Sequence, residues 1–288
     1  MGILYIVATP IGNLEDMTFR AINILQSVDV IAAEDTRHTG KLLEHFQIKT
    51  PQISYHEHNR QQRLPELLSQ LTEGKAIALV TDAGMPGISD PGYELVKACI
   101  GASISVIPIP GATAGITALS ASGLPTDRFV FEGFLPTHNQ DRKQRLESLA
   151  PESRTLILYE SPHRLRQTLQ DLADYFSLYR QIVIARELTK LHEEFWRGTI
   201  KDAIAHYTNR EPKGEFTLVI AGEIPGIAIV SEDTLKEELM QIMSEGLSRS
   251  QAARQLAQLT KIPRRQLYQL ALSLPAPVQA EEETLNDS

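Results

Sequence analysis

Four polar clusters and three glycine- and proline-rich loops hold the side chains best placed to do chemistry. The clusters are Glu34-Asp35-Thr36-Arg37-His38, His56-Glu57-His58-Asn59-Arg60, Tyr159-Glu160-Ser161-Pro162-His163-Arg164 and Arg186-Glu187-Leu188-Thr189-Lys190. Each closes an apolar run, the position from which side chains converge on a cleft. The plainer alternatives for any one of them are helix caps and surface ion pairs. The loops are Thr9 to Asn13, Asp82 to Gly92 and Pro110 to Gly115. Their glycines permit tight turns and bring backbone N–H and C=O groups close to a polar ligand, and their prolines stiffen them. One such loop is often only a turn, whereas three in one half of the chain favour a ligand cleft. Asp90, just before Pro91, fits a helix cap. His56 and His58 stand two residues apart with no third ligand in view, a poor metal site.

Positioning these loops requires strands that end beside one another. Strand and helix patterns alternate from Ile3 to about Gly123: strands Ile3 to Ala8, Val28 to Ala33, Ala76 to Thr81 and Ser103 to Pro108. Helices are expected near Met17 to Gln26, Thr39 to Phe46 and Pro65 to Thr72, from Tyr93, and after Gly111. Short β-branched runs between amphipathic helices predict an α/β layer fold with a largely parallel sheet. After Gly123-Leu124-Pro125-Thr126 a second α/β unit follows, with strands Phe129 to Phe134, Thr155 to Tyr159 and Gln181 to Ala185 and helices near Asn139 to Leu149 and His163 to Tyr175. Segments Phe195 to Thr199 and Glu215 to Ala221 are strands close in sequence, which points to antiparallel pairing. Pro225-Gly226 marks a third boundary, so the expected domains are 1–123, 124–226 and 227–288.

The last of these carries three helical patterns, Glu232 to Ser244, Ser250 to Leu259 and Pro263 to Leu272, with Ser248 as an N-cap and Pro263 opening the third. Between Gly246 and Leu270 lie Arg249, Arg254, Lys261, Arg264 and Arg265 and no acidic residue. The pattern is that of a helix-turn-helix, either contacting nucleic acid or packing on its own chain or a partner. The chain ends in an acidic tail that includes Glu281-Glu282-Glu283.

Composition narrows the function. The 288 residues carry 28 Lys+Arg against 36 Asp+Glu, a net charge of −8. This balance argues against a protein that coats nucleic acid by charge alone and leaves room for an RNA enzyme with a local basic patch. One cysteine, Cys99, allows no internal disulfide and no Cys-rich zinc site, in keeping with a reducing cytoplasm. The apolar start is too short for a membrane span and lacks a basic leader, so a soluble, cytoplasmic protein without membrane partners is expected. A G-x-G-x-x-G after the first strand and a G-x-x-x-x-G-K-[ST] are both missing, which removes the nicotinamide-binding Rossmann and P-loop readings.

The ordered series Ala-Thr-Pro-Ile-Gly-Asn-Leu (8–14), Ala-Glu-Asp-Thr-Arg (33–37), Thr-Asp-Ala-Gly-Met-Pro-Gly-Ile-Ser-Asp-Pro-Gly (81–92), Pro-Gly-Ala-Thr-Ala (110–114), Tyr-Glu-Ser-Pro-His-Arg (159–164) and Gly-Glu-Phe-Thr-Leu-Val-Ile-Ala-Gly (214–222) resembles the tetrapyrrole methylase superfamily. The resemblance covers essentially the whole chain. It is nearest to the bacterial branch that methylates a cytidine 2′-hydroxyl in 16S rRNA. It implies two α/β domains of the tetrapyrrole methylase type with a small C-terminal helical region, S-adenosylmethionine in the cleft, and a homodimer acting on 16S rRNA or the assembled small subunit. By motif position it implies cofactor contacts from Ile11, Ala83, Gly84, Met85, Ile88, Thr113, Ala114, Tyr159, Glu160 and Thr217. Ala8-Thr9-Pro10-Ile11-Gly12 stands where tetrapyrrole enzymes have Gly-x-Gly-Pro-Gly, which weakens porphyrin specificity and supports the RNA branch.

For such a transfer the protein must align oxygen, carbon and sulfur and provide somewhere for a proton to go, and no metal is required. Candidate bases are Glu34, Asp35 and His56. Arg37, Arg164, Arg186 and Lys190 are candidates for phosphates near the cleft, and Arg249, Arg254, Arg264 and Arg265 for RNA at the C-terminal helices. Two competing readings are methylation of a small tetrapyrrole, which has no need of the basic helices, and a ribosome-associated RNA-binding protein without cofactor affinity.

Overall fold

The computed structural model describes residues 2–223, 232–260 and 262–275. In the first half, β1 (Ile3–Val7), β2 (Val30–Ala33), β3 (Gln52–Ser54), β4 (Ala76–Val80) and β5 (Ser105–Ile109) form one sheet in the order β3-β2-β4-β1-β5, and every pair is parallel. Helices α1 (Phe19–Ser27) and α2 (Thr36–His45) cover one face, where Ala21, Leu25, Leu42 and Leu43 meet Val7, Ile31, Val80 and Ile109. Helices α3 (Arg60–Thr72) and α4 (Tyr93–Gly101) cover the other, with Leu67, Leu71, Leu95 and Cys99 on Leu4, Ile77 and Leu79. A sheet covered on both faces explains the near-continuous apolar runs of its strands. The three-residue edge strand β3 leaves no apolar signature in the sequence, since all its residues are only half-buried. Helix α3 begins at Arg60, five residues before Pro65.

Helix α5 (Ala114–Ser122) belongs to both halves. Its Ala118 and Leu119 pack with Ile11 against Ile157, Val183 and Val219 of a second sheet. That sheet comprises β6 (Phe129–Phe134), β7 (Thr155–Glu160), β8 (Gln181–Arg186), β9 (Glu194–Thr199) and β10 (Phe216–Ile220), ordered β6-β7-β10-β8-β9. The period of two is explicit: Leu156, Leu158, Ile182, Ile184, Leu218 and Ile220 point to α6 (Asn139–Leu149), α7 (Leu165–Tyr175) and α8 (Ile200–Thr208), while the alternate residues face α5.

The pairing of 195–199 with 215–221 needs correction. Antiparallel pairing is present, but β9 and β10 each pair with β8 and not with each other. Helix α8, missed in the sequence, lies between them, launched by reciprocal capping of Thr199 and Asp202. All five residues of β10 are buried, which suits it to the centre of the sheet, whereas β9 has no buried residue and takes the edge.

Helices α9 (Glu232–Ser244), α10 (Arg249–Thr260) and α11 (Arg264–Leu272) share a core of Leu239, Ala253, Leu256 and Leu267. Ser248 caps α10: its hydroxyl accepts from the Gln251 amide at 3.3 Å, and its own amide donates to Gln251 Oε1 at 3.0 Å. Pro263 stands one residue before α11. The unit is tied to the second domain by the Lys201–Glu238 ion pair and by the Leu178 amide donating to the Leu259 carbonyl. The 226/227 boundary, Lys261 and the acidic tail lie outside the described residues.

Candidate functional site

Strands β4, β1 and β5 are neighbours, so the three Gly/Pro loops leave the same edge of the sheet side by side. That is where ligands sit in open α/β sheets. The loops are stitched together: Thr9 and Gly84 exchange backbone hydrogen bonds of 2.9 and 3.1 Å, and Thr9 Oγ1 donates to the Thr81 carbonyl at 3.0 Å. Gly84 adopts a φ of +87°, open to glycine and strained for other residues. A Cβ on Gly12 would lie 2.4 Å from Lys190 Cγ, so only glycine lets the first loop press against the second domain.

A cavity of about 310 Å³ lies between these loops and the second sheet. The first domain contributes Ile11 after β1, Ala83, Gly84, Met85 and Ile88 after β4, and Thr113 and Ala114 after β5. The second contributes Tyr159 and Glu160 at the end of β7 and Thr217 on β10. All ten residues singled out for a cofactor thus meet in one cavity. Phe134, Ser161, Pro162, Glu215, Phe216, Ser89 and Asp90, none of them among those ten, also line it. Ser89, Ser161 and Phe216 directly flank selected residues, and Pro162 and Glu215 lie one position further along the same motifs, which therefore carry that signal.

Asp90 is the substantive correction. The N-cap of α4 is Gly92, with no side-chain cap bond, and Asp90 instead faces the cavity. Burial, reinforced by the Glu34 and Asp82 charges, pushes its carboxyl up to about 7. Glu34 and Asp82 are linked, the Asp82 amide donating to Glu34 Oε2 at 3.2 Å, and Asp82 Oδ1 accepts from the Asp35 amide at 3.2 Å. Burial raises Glu34 as well, with the Asp82 and Asp35 charges adding to it and the Asp82 amide and His56 opposing.

Asp35 caps α2 and accepts from the Arg37 amide at 2.8 Å and from its guanidinium at 2.7 and 3.0 Å, which holds its carboxyl well below the usual range. His56 faces Glu34, and its Nδ1 is buried without a hydrogen-bond partner. The His56 and His58 rings meet edge to face at 6.0 Å. Among the described residues no group of three or more His, Cys, Asp or Glu is arranged to hold a metal ion.

The basic residues differ in their partners and in their exposure. Arg164 donates to the Leu135 carbonyl at 2.7 Å and stands 3.5 Å from Glu160. Arg186 donates to the Lys213 carbonyl at 2.6 Å, and Lys190 bridges Glu187 and Glu215 at 3.0 and 2.9 Å. Arg249 donates to the Leu274 carbonyl at 2.6 Å and Arg264 to Ser250 Oγ at 2.8 Å. These side chains have structural partners. Arg37, Arg254, Arg264 and Arg265 are exposed, and Arg264 and Arg265 border a shallow depression with Ser250 and Tyr268.

The family model for Tetrapyrrole (Corrin/Porphyrin) Methylases matches residues 3–204, and that for the RsmI C-terminal HTH domain matches 232–275. Ribosomal RNA small subunit methyltransferase I of Synechocystis sp. is 66% identical over 277 residues, 96% of this chain and 99% of that protein. The protein of that name from Bacillus subtilis is 46% identical, covering 93% of both chains. Among solved structures, uroporphyrin-III-C-methyltransferase from Thermus thermophilus superposes with a TM-score of 0.56 at 22% identity, over 77% of this chain and 94% of that one. The methyltransferase CobJ gives 0.58 at 18% identity, over 77% and 95%. At those identities the shared feature is the fold.

Proposed function

Because the chain belongs to the tetrapyrrole methylase family and, within it, to the ribosomal RNA small subunit methyltransferase I group, we propose that it methylates the ribose 2′-oxygen of a cytidine in 16S rRNA. The observation that carries this reading is the single cavity in which ten motif residues from two domains converge. S-adenosylmethionine, when bound, supplies a methyl group on a sulfonium, a cation that is already a good leaving group. The cavity fits such a molecule in chemistry. Ile11, Met85, Ile88 and Ala114 offer apolar wall to an adenosine, and Gly84 leaves its turn clear.

The work left to the chain is orientation and proton removal. A neutral hydroxyl is a weak nucleophile, so alignment between two rigid domains supplies much of the rate, and a carboxylate must receive the proton. That proton leaves at the acidic end formed by Glu34, Asp82 and Asp90, with His56 beside Glu34. Asp35, capped onto α2 and paired with Arg37, orders this end through its amide. RNA is met by exposed Arg37 and by Arg254, Arg264 and Arg265 of the C-terminal helices, while Arg164, Arg186, Lys190 and Arg249 shape the surfaces around them.

The same reading includes a homodimer. Phe19 and Leu191, 88% and 93% exposed, are apolar surface that a second copy would cover. The assembled small subunit is the favoured form of the substrate, since a net charge of −8 leaves selectivity to shape and local contacts. Nucleoside mass spectrometry of small-subunit rRNA from cells with and without the protein tests the function. Loss of 2′-O-methylcytidine without the protein is expected, and an unchanged level contradicts it.

A further inference from the structure

We propose that Asp90 is the catalytic base of this transfer, with Glu34 and Asp82 as positioning residues behind it. The proposal rests on the 2′-O-methylation reading above. Three carboxylates line the cavity. Glu160 is committed: it accepts from the Ser161 amide at 2.7 Å and from Thr168 Oγ1 at 2.5 Å, and faces Arg164 at 3.5 Å. Glu215 is held by Lys190 at 2.9 Å. Asp90 alone of the three has no hydrogen bond or ion pair to any described residue, although it is half-buried. Carboxylates withdrawn from water ordinarily find donors, and one left open inside a cavity is available to a substrate hydroxyl.

The loop fixes where that carboxylate stands. The Gly87 amide donates to the Pro91 carbonyl at 3.2 Å and the Ile88 amide to the Met85 carbonyl at 3.2 Å. Ser89 takes a left-handed φ of +65°. Prolines at 86 and 91 restrict the rest. The charged and titratable groups facing Asp90 are Glu34 from the end of β2, Asp82 from the end of β4 and Tyr159 from β7 across the cavity. Two carboxylates behind a third raise its hold on a proton. A base near neutrality combines a substantial deprotonated fraction with useful strength, which suits removal of a hydroxyl proton as the alcohol becomes acidic.

The step balances without a further reactant. The ribose oxygen bonds to the methyl carbon as the carbon–sulfur bond breaks, and that electron pair stays on sulfur, turning sulfonium into thioether. The hydroxyl proton passes to Asp90 and then to water at the cavity mouth.

The test compares wild type with Asp90→Asn, a substitution of the same size. S-adenosylhomocysteine binding is measured by calorimetry, methylation of small subunits by single turnover across pH, and side-chain carboxyl titration in the free protein by carbon-13 NMR. Expected are binding within about 3-fold of wild type and a rate reduced by about 100-fold or more. A carboxyl resonance titrating near neutral pH should be present in wild type and missing from the variant. A rate within about 3-fold of wild type, a loss of binding that accounts for the loss of rate, or no such resonance overturns the proposal. If wild type yields no 2′-O-methylcytidine, the underlying reading has failed, and the NMR titration separates that failure from this one.

Discussion

The Gly115 amide donates to the Tyr159 hydroxyl oxygen at 3.1 Å, joining the first turn of α5 to the end of β7 and so one domain to the other across the cavity. The Tyr159 ring is held edge-on by Phe131 and Phe134, with centroids 5.1 and 5.7 Å away. A helix N-terminus has amides without partners in its own helix, and this one is satisfied from the other domain.

Tyr159→Phe removes that acceptor while keeping the ring. The lost bond costs about 1 kcal/mol, and S-adenosylhomocysteine affinity is expected to fall several-fold because one cavity wall loosens. Calorimetry alongside thermal melting checks both effects.

Glu34→Gln takes away a negative charge that raises the Asp90 carboxyl. The Asp90 pKa then falls, so the active base form is populated at lower pH. The rising limb of the single-turnover rate against pH should shift to lower pH, and an unmoved limb would separate Glu34 from Asp90.

Arg142, nearly buried, donates to Asp171 Oδ2 at 2.6 Å and to Thr168 Oγ1 at 2.7 Å, and Thr168 in turn holds Glu160. Arg142→Met leaves the largely buried Asp171 charge without its cation, with only the Gln167 amide still donating to it, and should destabilise the protein by about 3 kcal/mol in urea unfolding. Adding Asp171→Leu should recover much of that loss, since the unpaired charge is then gone.

Replacing Arg254, Arg264 and Arg265 together by Gln is expected to weaken binding to small subunits without changing S-adenosylhomocysteine affinity. The dependence of log affinity on log salt should flatten by about 0.7 to 0.9 for each phosphate that the variant no longer neutralises. Titrations at several salt concentrations measure it.

How much of this was legible in the sequence depends on whether the signal was local. Thr9 to Asn13, Asp82 to Gly92 and Pro110 to Gly115 announced themselves through turn chemistry, and their residues meet in the cavity. Their adjacency comes from the order β4-β1-β5, a long-range fact that no local pattern carries. Asp90 matches a capping pattern in sequence, Asp-Pro-Gly before a helix, yet Gly92 at φ +149° takes the cap. Asp35, with cap and base both open, is held as a cap. The basic residues were legible as charges only, since the carbonyls that Arg164, Arg186 and Arg249 engage are 29, 27 and 25 residues away in the chain.

The most direct test of the central claim is nucleoside mass spectrometry of small ribosomal subunits after incubation of the purified protein with methyl-labelled S-adenosylmethionine. The label is expected in 2′-O-methylcytidine. Label confined to a methylated base, or RNA left unlabelled by a protein that binds the cofactor, would contradict it.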